Sequence, residues 1–110
     1  MIVLQIYFDV APEQATAFQE LYVTRYVPAL QQQAGYQSSR LLRLFPPPIA
    51  AEIEASPTEF TYQMELVFDT EANRRRWVAS AEHSAVWPLA AGMARRVTWR
   101  GYDVAGSDVG

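Results

Sequence analysis

The sequence predicts a single α+β domain of the ferredoxin-like type, in which a four-stranded antiparallel sheet carries two helices on one face in the order βαββαβ. Two segments, residues 2–8 and 60–68, alternate apolar and polar side chains with the period of two that is typical of strands. Two longer stretches between the predicted strands space their apolar residues as amphipathic helices do. A chain of 110 residues has room for one core. We therefore expect one domain over residues 1–104 and a flexible C-terminal tail over 105–110.

The first helix is bounded by recognisable signals. Pro12 suits a first helical turn because its φ is already fixed near the helical value. Pro28 has no N–H group, so we expect it to kink or weaken the helix about one turn upstream. Gly35 is the expected C-cap, since glycine adopts the left-handed conformation at low cost. The apolar stripe of this helix consists of Ala15, Phe18, Leu21, Tyr22, Tyr26, Ala29 and Leu30.

The middle of the chain reads as two strands separated by a long connection. We predict the second strand from Ser39 to Phe45, because the three prolines that follow cannot continue a hydrogen-bonded ladder. The connection 46–59 is rich in proline and glutamate and holds a short helical turn within residues 49–55. The third strand, Phe60 to Phe68, shows the clearest alternation.

The last third of the chain predicts a helix and a strand. Asp69 or Thr70 is expected to cap the second helix. We expect Pro88 to divide that helix into two pieces, near 71–82 and 84–94. The last strand is expected over residues 97–102.

Alternation assigns one sheet face to the helices and leaves the other face open. The open face is too apolar to be left wet and too polar to form a dry core, so we predict that it packs against a partner surface. On neighbouring strands of this face we expect an ion pair between Arg43 and Glu65. The predicted open-face residues are Val3, Gln5, Tyr7, Leu41, Arg43, Phe45, Thr61, Gln63, Glu65, Val67, Thr98, Arg100 and Tyr102.

Composition excludes several classes of chemistry. The chain has no cysteine and a single histidine, His83, so thiolate nucleophiles and metal sites built from several imidazoles are excluded, and we expect no metal site. All nine basic residues are arginines, which excludes a Schiff-base or P-loop lysine. A net charge of −3 argues against a nucleic-acid partner. No apolar run is long enough for a membrane span, and we expect a cytoplasmic protein.

Two motifs accompany this order of elements. One is Tyr26-Val27-Pro28-Ala29-Leu30 followed by Gly35-Tyr36, and the other is Trp77, Ser80, Glu82-His83 and Trp87. Over about residues 2–104 the sequence thereby resembles the dimeric α/β-barrel superfamily, which includes antibiotic biosynthesis monooxygenases, EthD-like proteins and stress-responsive barrel proteins.

This resemblance implies a homodimer in which two sheets pack their open faces together. It also implies a monooxygenase-like or cyclase-like reaction on a small apolar or aromatic substrate, without a cofactor, in which the substrate anion itself reacts with oxygen. A haem-degrading branch of the superfamily uses a histidine and a tryptophan of the second helix. Haem is a minor alternative here, because Trp77 and His83 are only six residues apart and the first strand has no asparagine. The connection 46–59 departs from the usual tight hairpin and is expected to reach across to the partner.

Two residues are the candidate catalytic groups. His83 is the only side chain that ordinarily titrates near neutral pH, and Trp87 one turn later would line a pocket with it between helix and sheet. Tyr7 is the candidate hydrogen-bond donor to a developing enolate. Candidate substrate-binding residues are Trp87 and the open-face residues Gln5, Arg43, Gln63, Glu65 and Arg100.

Alternatives without catalysis remain open at this point. His83 would then only bond a neighbour near Ser80, and the open-face polar residues would line a wet interface in a dimeric binding or structural domain. The run Arg74 to Arg76 is expected to be solvated and to pair with Glu71. RNA-recognition domains share the βαββαβ order but expose aromatic residues on the open face, whereas Phe60, Tyr62 and Phe68 are expected on the helix side here.

Overall fold

The computed structural model describes residues 1–108 and has the predicted ferredoxin-like architecture. The strands are β1 (Ile2–Val10), β2 (Tyr36–Arg43), β3 (Tyr62–Phe68) and β4 (Ala94–Asp103). The helices are α1 (Ala15–Leu21), α2 (Val27–Gln31), α3 (Pro47–Glu52), α4 (Glu71–Ala79) and α5 (Ala81–Gly92), with a 3₁₀ turn at Pro12–Gln14 and a π-helical turn at Tyr22–Tyr26.

The sheet has the order β2-β3-β1-β4, and each neighbouring pair is antiparallel. Alternate residues of β3 are buried, as the alternation of its sequence predicts. The helices cover the face that carries Ile6 and Phe8, and the core forms between these two layers. The buried core residues are Ile6, Phe8, Val10, Phe18, Leu21, Tyr26, Ala29, Leu30, Tyr62, Met64, Leu66, Phe68, Trp77, Val86 and Ala90.

Pro28 perturbs the first helix directly upstream, as predicted. The Val27 N–H donates to the carbonyl of Tyr22, five residues earlier, which is the bond of a π-helical turn. Pro28 has no N–H to donate, so the regular ladder is interrupted at the next position as well. The widened turn lets the helix continue past the proline into α2.

Gly35 is not the helix C-cap that we predicted, since α2 ends at Gln31 and Gln32 is its C-cap, but it lies in the turn before β2 in the left-handed conformation, with φ of 76°. A Cβ on this residue would lie 2.1 Å from Asp69 Oδ1 and 2.4 Å from Asn73 Nδ2. The Gly35 carbonyl also accepts a bond from the Asp69 N–H at 2.9 Å. The turn before β2 is therefore held tightly against the start of α4, and only glycine fits there.

The predicted facing of the second strand is wrong. The register shifts between Tyr36 and Ser38, and from there Leu41 pairs with Met64 and Arg43 with Tyr62, both of which are buried under the helices. Because a shift of one residue exchanges the two faces of a strand, Arg40 and Leu42 hold the open-face positions that we assigned to Leu41 and Arg43. Phe45 lies beyond the end of the strand.

The long connection after β2 forms an exposed arm that contains α3. Leu44 still donates its N–H to the Thr61 carbonyl at 2.8 Å, so the arm begins as an extension of the hairpin. The expected helical turn is present, but it starts two residues before Ile49 and ends at Glu52, three residues before the predicted end. Apolar side chains on this arm face solvent, including Phe45 at 54% and Ile53 at 61% exposure.

The second helical layer is divided into two pieces, as predicted, but the break lies at Ser80, and its attribution to Pro88 is wrong. Thr70 caps α4 by accepting the N–H of Asn73 at 3.1 Å, as predicted. Ser80 is extended, with ψ of 155°, and its hydroxyl accepts the N–H of His83 at 3.1 Å. A serine N-cap stabilises a new helix start at this point, while Pro88 is accommodated inside α5.

The C-terminal segment after β4 contains no helix or strand over residues 104–108. Of the expected tail 105–110, residues 109 and 110 lie outside the described part of the chain. Within residues 1–108, no helix has both the length and the apolar content that crossing a membrane requires.

Replacing Gly35 by alanine should lower the free energy of unfolding by at least about 1 kcal/mol, because the new Cβ combines a strained φ with a clash against Asp69. Urea denaturation measures this loss. Gly92→Ala is the matched control, since a Cβ there meets nothing within 4 Å and a helical position favours alanine. Equal losses in the two variants would contradict the role given to Gly35.

Candidate active site

A cavity of about 280 Å³ lies on the helix side of the sheet, between β1, β4 and the helices α4 and α5. This volume is close to the lower end of the ~300–1,000 Å³ range of small-molecule pockets. Its lining is mostly apolar and aromatic, and it includes one imidazole, His83, and one guanidinium, Arg74. The lining residues are Leu4, Ile6, Tyr26, Arg74, Trp77, Val78, His83, Trp87 and Trp99.

The break at Ser80 positions the aromatic wall of this cavity. The Ser80 hydroxyl donates to the Trp77 carbonyl at 2.7 Å and accepts the His83 N–H at 3.1 Å, so one side chain joins the end of α4 to the start of α5. The His83 ring meets Trp77 edge to face, with centroids 4.9 Å apart. It lies nearly parallel to Trp87, at 6.0 Å and an angle of 11°. The predicted pairing of His83 with Trp87 in one pocket is present.

The imidazole of His83 is favoured in its neutral form. Burial between the two indoles lowers its pKa below the ordinary value, because a charged ring loses solvation there. The described residues give His83 no side-chain hydrogen bond, and no carboxylate lines the cavity. At neutral pH the ring can therefore accept a proton from a molecule bound beside it.

Tyr26 and Trp99 complete the cavity from other elements. Tyr26 belongs to the π-helical turn and packs edge to face against Trp77 at 5.8 Å. Its hydroxyl is buried and has no hydrogen-bond partner within residues 1–108. Trp99 projects from the edge strand β4, 58% exposed, and contacts Trp87 at 5.7 Å. All three tryptophans of the sequence thus line this one cavity.

Arg74 stands at the cavity as its one charged lining residue among those described. Glu71 holds the guanidinium through its carboxylate, and this ion pair raises the pKa of Arg74 above the ordinary value. Glu71 also pairs with Arg75, at 3.3 Å, so the predicted solvated pairing of the arginine run is confirmed. The side chain of Arg74 is one-quarter exposed, which sets it apart from the more exposed Arg75.

Most of the predicted substrate-binding residues lie on the other face of the sheet. The Tyr7 hydroxyl donates to Gln5 Oε1 at 2.6 Å, and Gln5 Nε2 donates to Glu65 Oε2 at 3.3 Å. Arg40, not Arg43, forms the ion pair with Glu65, at 2.7 Å. Gln63 lies opposite Tyr7 on β3, and Arg100 lies opposite Gln5 on β4. The predicted Arg43–Glu65 pair is wrong, because the register of β2 places Arg43 opposite Tyr62 and Arg40 opposite Glu65.

The two predicted catalytic residues are not brought together. Tyr7 shares its face with Gln63 and Thr98, its register partners, while its neighbours Ile6 and Phe8 point into the core under the helices. His83 lies on that helix side. Partial burial and the nearby Tyr102 raise the pKa of Tyr7, and Arg100 opposes them, so its phenol remains protonated at neutral pH.

A second, more open hollow of about 320 Å³ lies at the base of the arm. Tyr7, Arg43 and Gln63 line it together with apolar residues of the arm, among them Phe45 and Phe60. The predicted catalytic residue Tyr7 and two predicted substrate-binding residues, Arg43 and Gln63, therefore meet there, although Arg43 enters from the opposite register position. The hollow contains no imidazole and no acidic side chain.

The structure offers no preformed metal site within residues 1–108, because no three histidine, cysteine, aspartate or glutamate side chains there are close enough to share an ion. A haem group also fits the cavity poorly. At about 280 Å³ the space suits a ligand of two or three rings, and a tetrapyrrole with two propionates is larger.

Sequence reasoning did not single out Tyr26, Arg74, Trp99 or the strand residues Leu4 and Ile6 as site residues. Tyr26 and Ile6 follow the pattern of ordinary core positions, and Trp99 follows that of an edge-strand residue. Their meeting depends on the pairing of β1 with β4 in the register Ile6 to Trp99, which no local signal specifies.

The chain belongs to the antibiotic biosynthesis monooxygenase family, whose sequence model matches residues 1–87. No curated protein matches the sequence. A mutant of SnoaB, a cofactor-independent oxygenase from Streptomyces nogalater, superposes with a TM-score of 0.74 at 14% identity, covering 96% of this chain and 94% of that one.

Two further solved structures show how widely this fold is used. An EthD family protein from Bacillus halodurans has a TM-score of 0.67 at 20% identity, with 94% of this chain and 98% of that chain covered. A mutant of MhuD with two manganese protoporphyrin IX molecules bound per active site has a TM-score of 0.74 at 15% identity, with 100% of both chains covered. At these identities the similarity establishes the fold alone.

The lowered pKa of His83 gives a direct test of its environment. Because the sequence has one histidine, a single imidazole resonance should titrate by NMR, with a midpoint below the ordinary histidine pKa of about 6.5. In urea the midpoint should return to about 6.5. The unfolded chain then binds the proton first, so stability should fall as pH decreases below about 6.5. A folded midpoint at or above the unfolded one would contradict the burial described here.

Proposed function

We propose that the protein is a cytoplasmic homodimeric enzyme that oxygenates a small, apolar, aromatic substrate without a cofactor, and that the cavity around His83 is its active site. The observation that carries the proposal is a neutral imidazole, the only one in the chain, facing an apolar cavity walled by three indoles. The family match and the similarity to a cofactor-independent oxygenase support the reaction class.

His83 acts as the general base. It takes a proton from an acidic C–H group of the substrate, and the resulting carbanion transfers electrons to molecular oxygen. A C–OOH group forms at that carbon, and loss of water leaves a carbonyl, so that one CH₂ group and one O₂ give one C=O group and one H₂O. The protein supplies the base and the dry site, while the substrate supplies the electrons. This reaction needs only groups that the composition allows.

Arg74 and the tryptophans support the anion in different ways. The guanidinium at the cavity provides positive potential for the developing negative charge. Trp87 and Trp99 form an exposed corner through which a flat substrate would enter. We propose Trp87 as a substrate-binding residue on this basis.

For the open face we propose a different role. Gln5, Tyr7, Gln63, Glu65 and Arg100 form the polar layer of a homodimer interface, and three of them, Gln5, Tyr7 and Glu65, already bond one another within the sheet. The exposed apolar side chains of the arm support an interface that continues beyond the sheet, with residues 46–59 reaching the partner. These side chains are Leu44, Phe45, Ile49 and Ile53, next to Leu42 on the strand.

Oxygen uptake with 2-tetralone tests the reaction, because this fused-ring ketone has an acidic CH₂ group and a size suited to the cavity. His83→Gln should reduce kcat by about 100-fold or more, the usual contribution of a general base. Ser84→Ala is the matched control, since Ser84 is exposed and does not line the cavity. A rate no faster than with free imidazole would instead favour a binding protein without catalysis.

Sedimentation velocity tests the dimer. Val67→Arg places a charge at the centre of the open face, opposite Val3, and should convert the dimer into a folded monomer. The control is Val23→Arg on the helical layer, where the valine is already 65% exposed and a charge stays in water. A wild-type monomer, or a Val67→Arg protein that remains dimeric, would refute the proposed interface.

A further inference from the structure

A groove of about 360 Å³ lies at the outer edge of the domain, between the first helical layer and the edge strand β2. The residues that line this edge groove are Gln19, Tyr22, Val23, Leu41, Arg43 and Tyr62. Leu41 and Arg43 lie opposite Met64 and Tyr62, which are buried under the helices, so the strand register turns both toward the groove. None of the lining residues belongs to the cavity of His83.

Arg43 brings an unpaired positive charge to the edge groove. Within residues 1–108 its guanidinium makes no ion pair, and no acidic side chain lines the groove. The arginines that do pair with carboxylates in this part of the chain are Arg40, Arg74, Arg75, Arg95 and Arg96. The N–H donors of Arg43 form a planar fork that can bind a carboxylate through two parallel hydrogen bonds.

A hydroxyl group of the groove adds a neutral donor. Tyr36 donates to Ser39 Oγ at 2.9 Å, and the hydroxyls of Ser39 and Tyr22 share a second bond at 2.6 Å. Because Tyr36 already donates to Ser39, that serine can donate its own proton to Tyr22. The phenolic proton of Tyr22 is then available to a bound acceptor. Burial raises the pKa of Tyr22, which keeps the phenol protonated at neutral pH.

The rest of the wall suits an apolar group. Val23 is 65% exposed, and Leu41 lies beside it in the same groove. A ligand with an apolar body would remove part of this surface from water. The single positive charge of Arg43 matches a monoanion, whereas a phosphate group carries between one and two negative charges at neutral pH.

We propose that the edge groove binds a small organic monocarboxylate, whose carboxylate is held by Arg43 and the Tyr22 hydroxyl and whose apolar body lies against Val23 and Leu41. This binding site is separate from the cavity of His83, so it does not depend on the oxygenation proposed above.

Benzoate and benzamide test the site by NMR titration at pH 7 and low ionic strength, because they have nearly the same shape and differ in charge. Three side chains report on three spaces, namely Gln19 on the edge groove, Gln63 on the hollow at the base of the arm and His83 on the cavity. Benzoate should shift the side-chain amide signals of Gln19 and leave those of Gln63 and the His83 imidazole unchanged. It should bind at least about 10-fold more tightly than benzamide, the lower limit for hydrogen bonds to a charged group.

Arg43→Gln should weaken benzoate binding to the level of benzamide. Arg25→Gln is the matched control, since Arg25 is also exposed, makes no ion pair within residues 1–108 and does not line the groove. It changes the net charge by the same amount and should keep the preference for benzoate. Tyr22→Phe should weaken benzoate binding by about 2-fold or more, and unchanged binding would overturn the role of Tyr22.

The remaining outcomes decide the site and its ligand class. Equal Kd values for the two ligands in the wild type, or a preference retained in Arg43→Gln, would overturn the proposal. Shifts at Gln63 or His83 in place of Gln19 would put the anion in another space and overturn it as well. Inorganic phosphate is the third probe. If it displaces benzoate at equal concentration, the groove binds anions in general, and the assignment to a carboxylate is wrong.

Discussion

The geometry of the candidate site depends on two hydrogen bonds made by one serine. Ser80 ends α4 by donating to the Trp77 carbonyl and starts α5 by accepting the His83 N–H. Because the hydroxyl serves both helices at once, the directions of the two helices are linked, and the indole and the imidazole are fixed edge to face. Trp87 follows one turn after His83, so the start of α5 at Ser80 also positions the Trp87 ring parallel to the imidazole. Residues of β1, β4 and the π-helical turn form the other walls of the cavity around Trp77, His83 and Trp87.

The sheet separates two kinds of environment. On the helix side, apolar residues surround the His83 imidazole, whose ring makes no side-chain hydrogen bond within residues 1–108, and the Tyr26 hydroxyl, which is buried there without a partner. On the open side, tyrosine, glutamine, glutamate and arginine side chains already satisfy one another across strands. Unsatisfied groups in a dry space favour chemistry, while a connected network favours a stable surface. The same alternation of residues along β1 supplies Ile6 to the first environment and Tyr7 to the second.

Local signals were sufficient for the order of elements, for the cap at Thr70, for the left-handed conformation of Gly35, and for the distortion caused by Pro28. They were also sufficient to pair His83 with Trp87, because residues four apart on a helix are neighbours. Local signals failed where the strand register decides on which face of the sheet a side chain lies. The one-residue register shift between Tyr36 and Ser38 puts Arg40, and not Arg43, on the open face beside Glu65. Tyr7 is separated from His83 because the helices cover the opposite face of the sheet. The position of the helix break was also mispredicted, because the capping serine Ser80 starts a new helix, whereas Pro88 is tolerated inside that helix.

The widened turn at Tyr22–Tyr26 also constrains how this part of the chain tolerates changes in length. A π-helical turn holds one residue more than an α-helical turn between the same bonds, so the segment behaves as a one-residue insertion that the fold has absorbed. Deleting a single residue there would restore regular winding and rotate the preceding helix by about 100° relative to α2. Phe18 would then leave the core, where it is fully buried against Phe8 and Tyr62. Related chains that keep a tyrosine at the cavity are thus expected to share the spacing of this helix, whatever their sequences elsewhere.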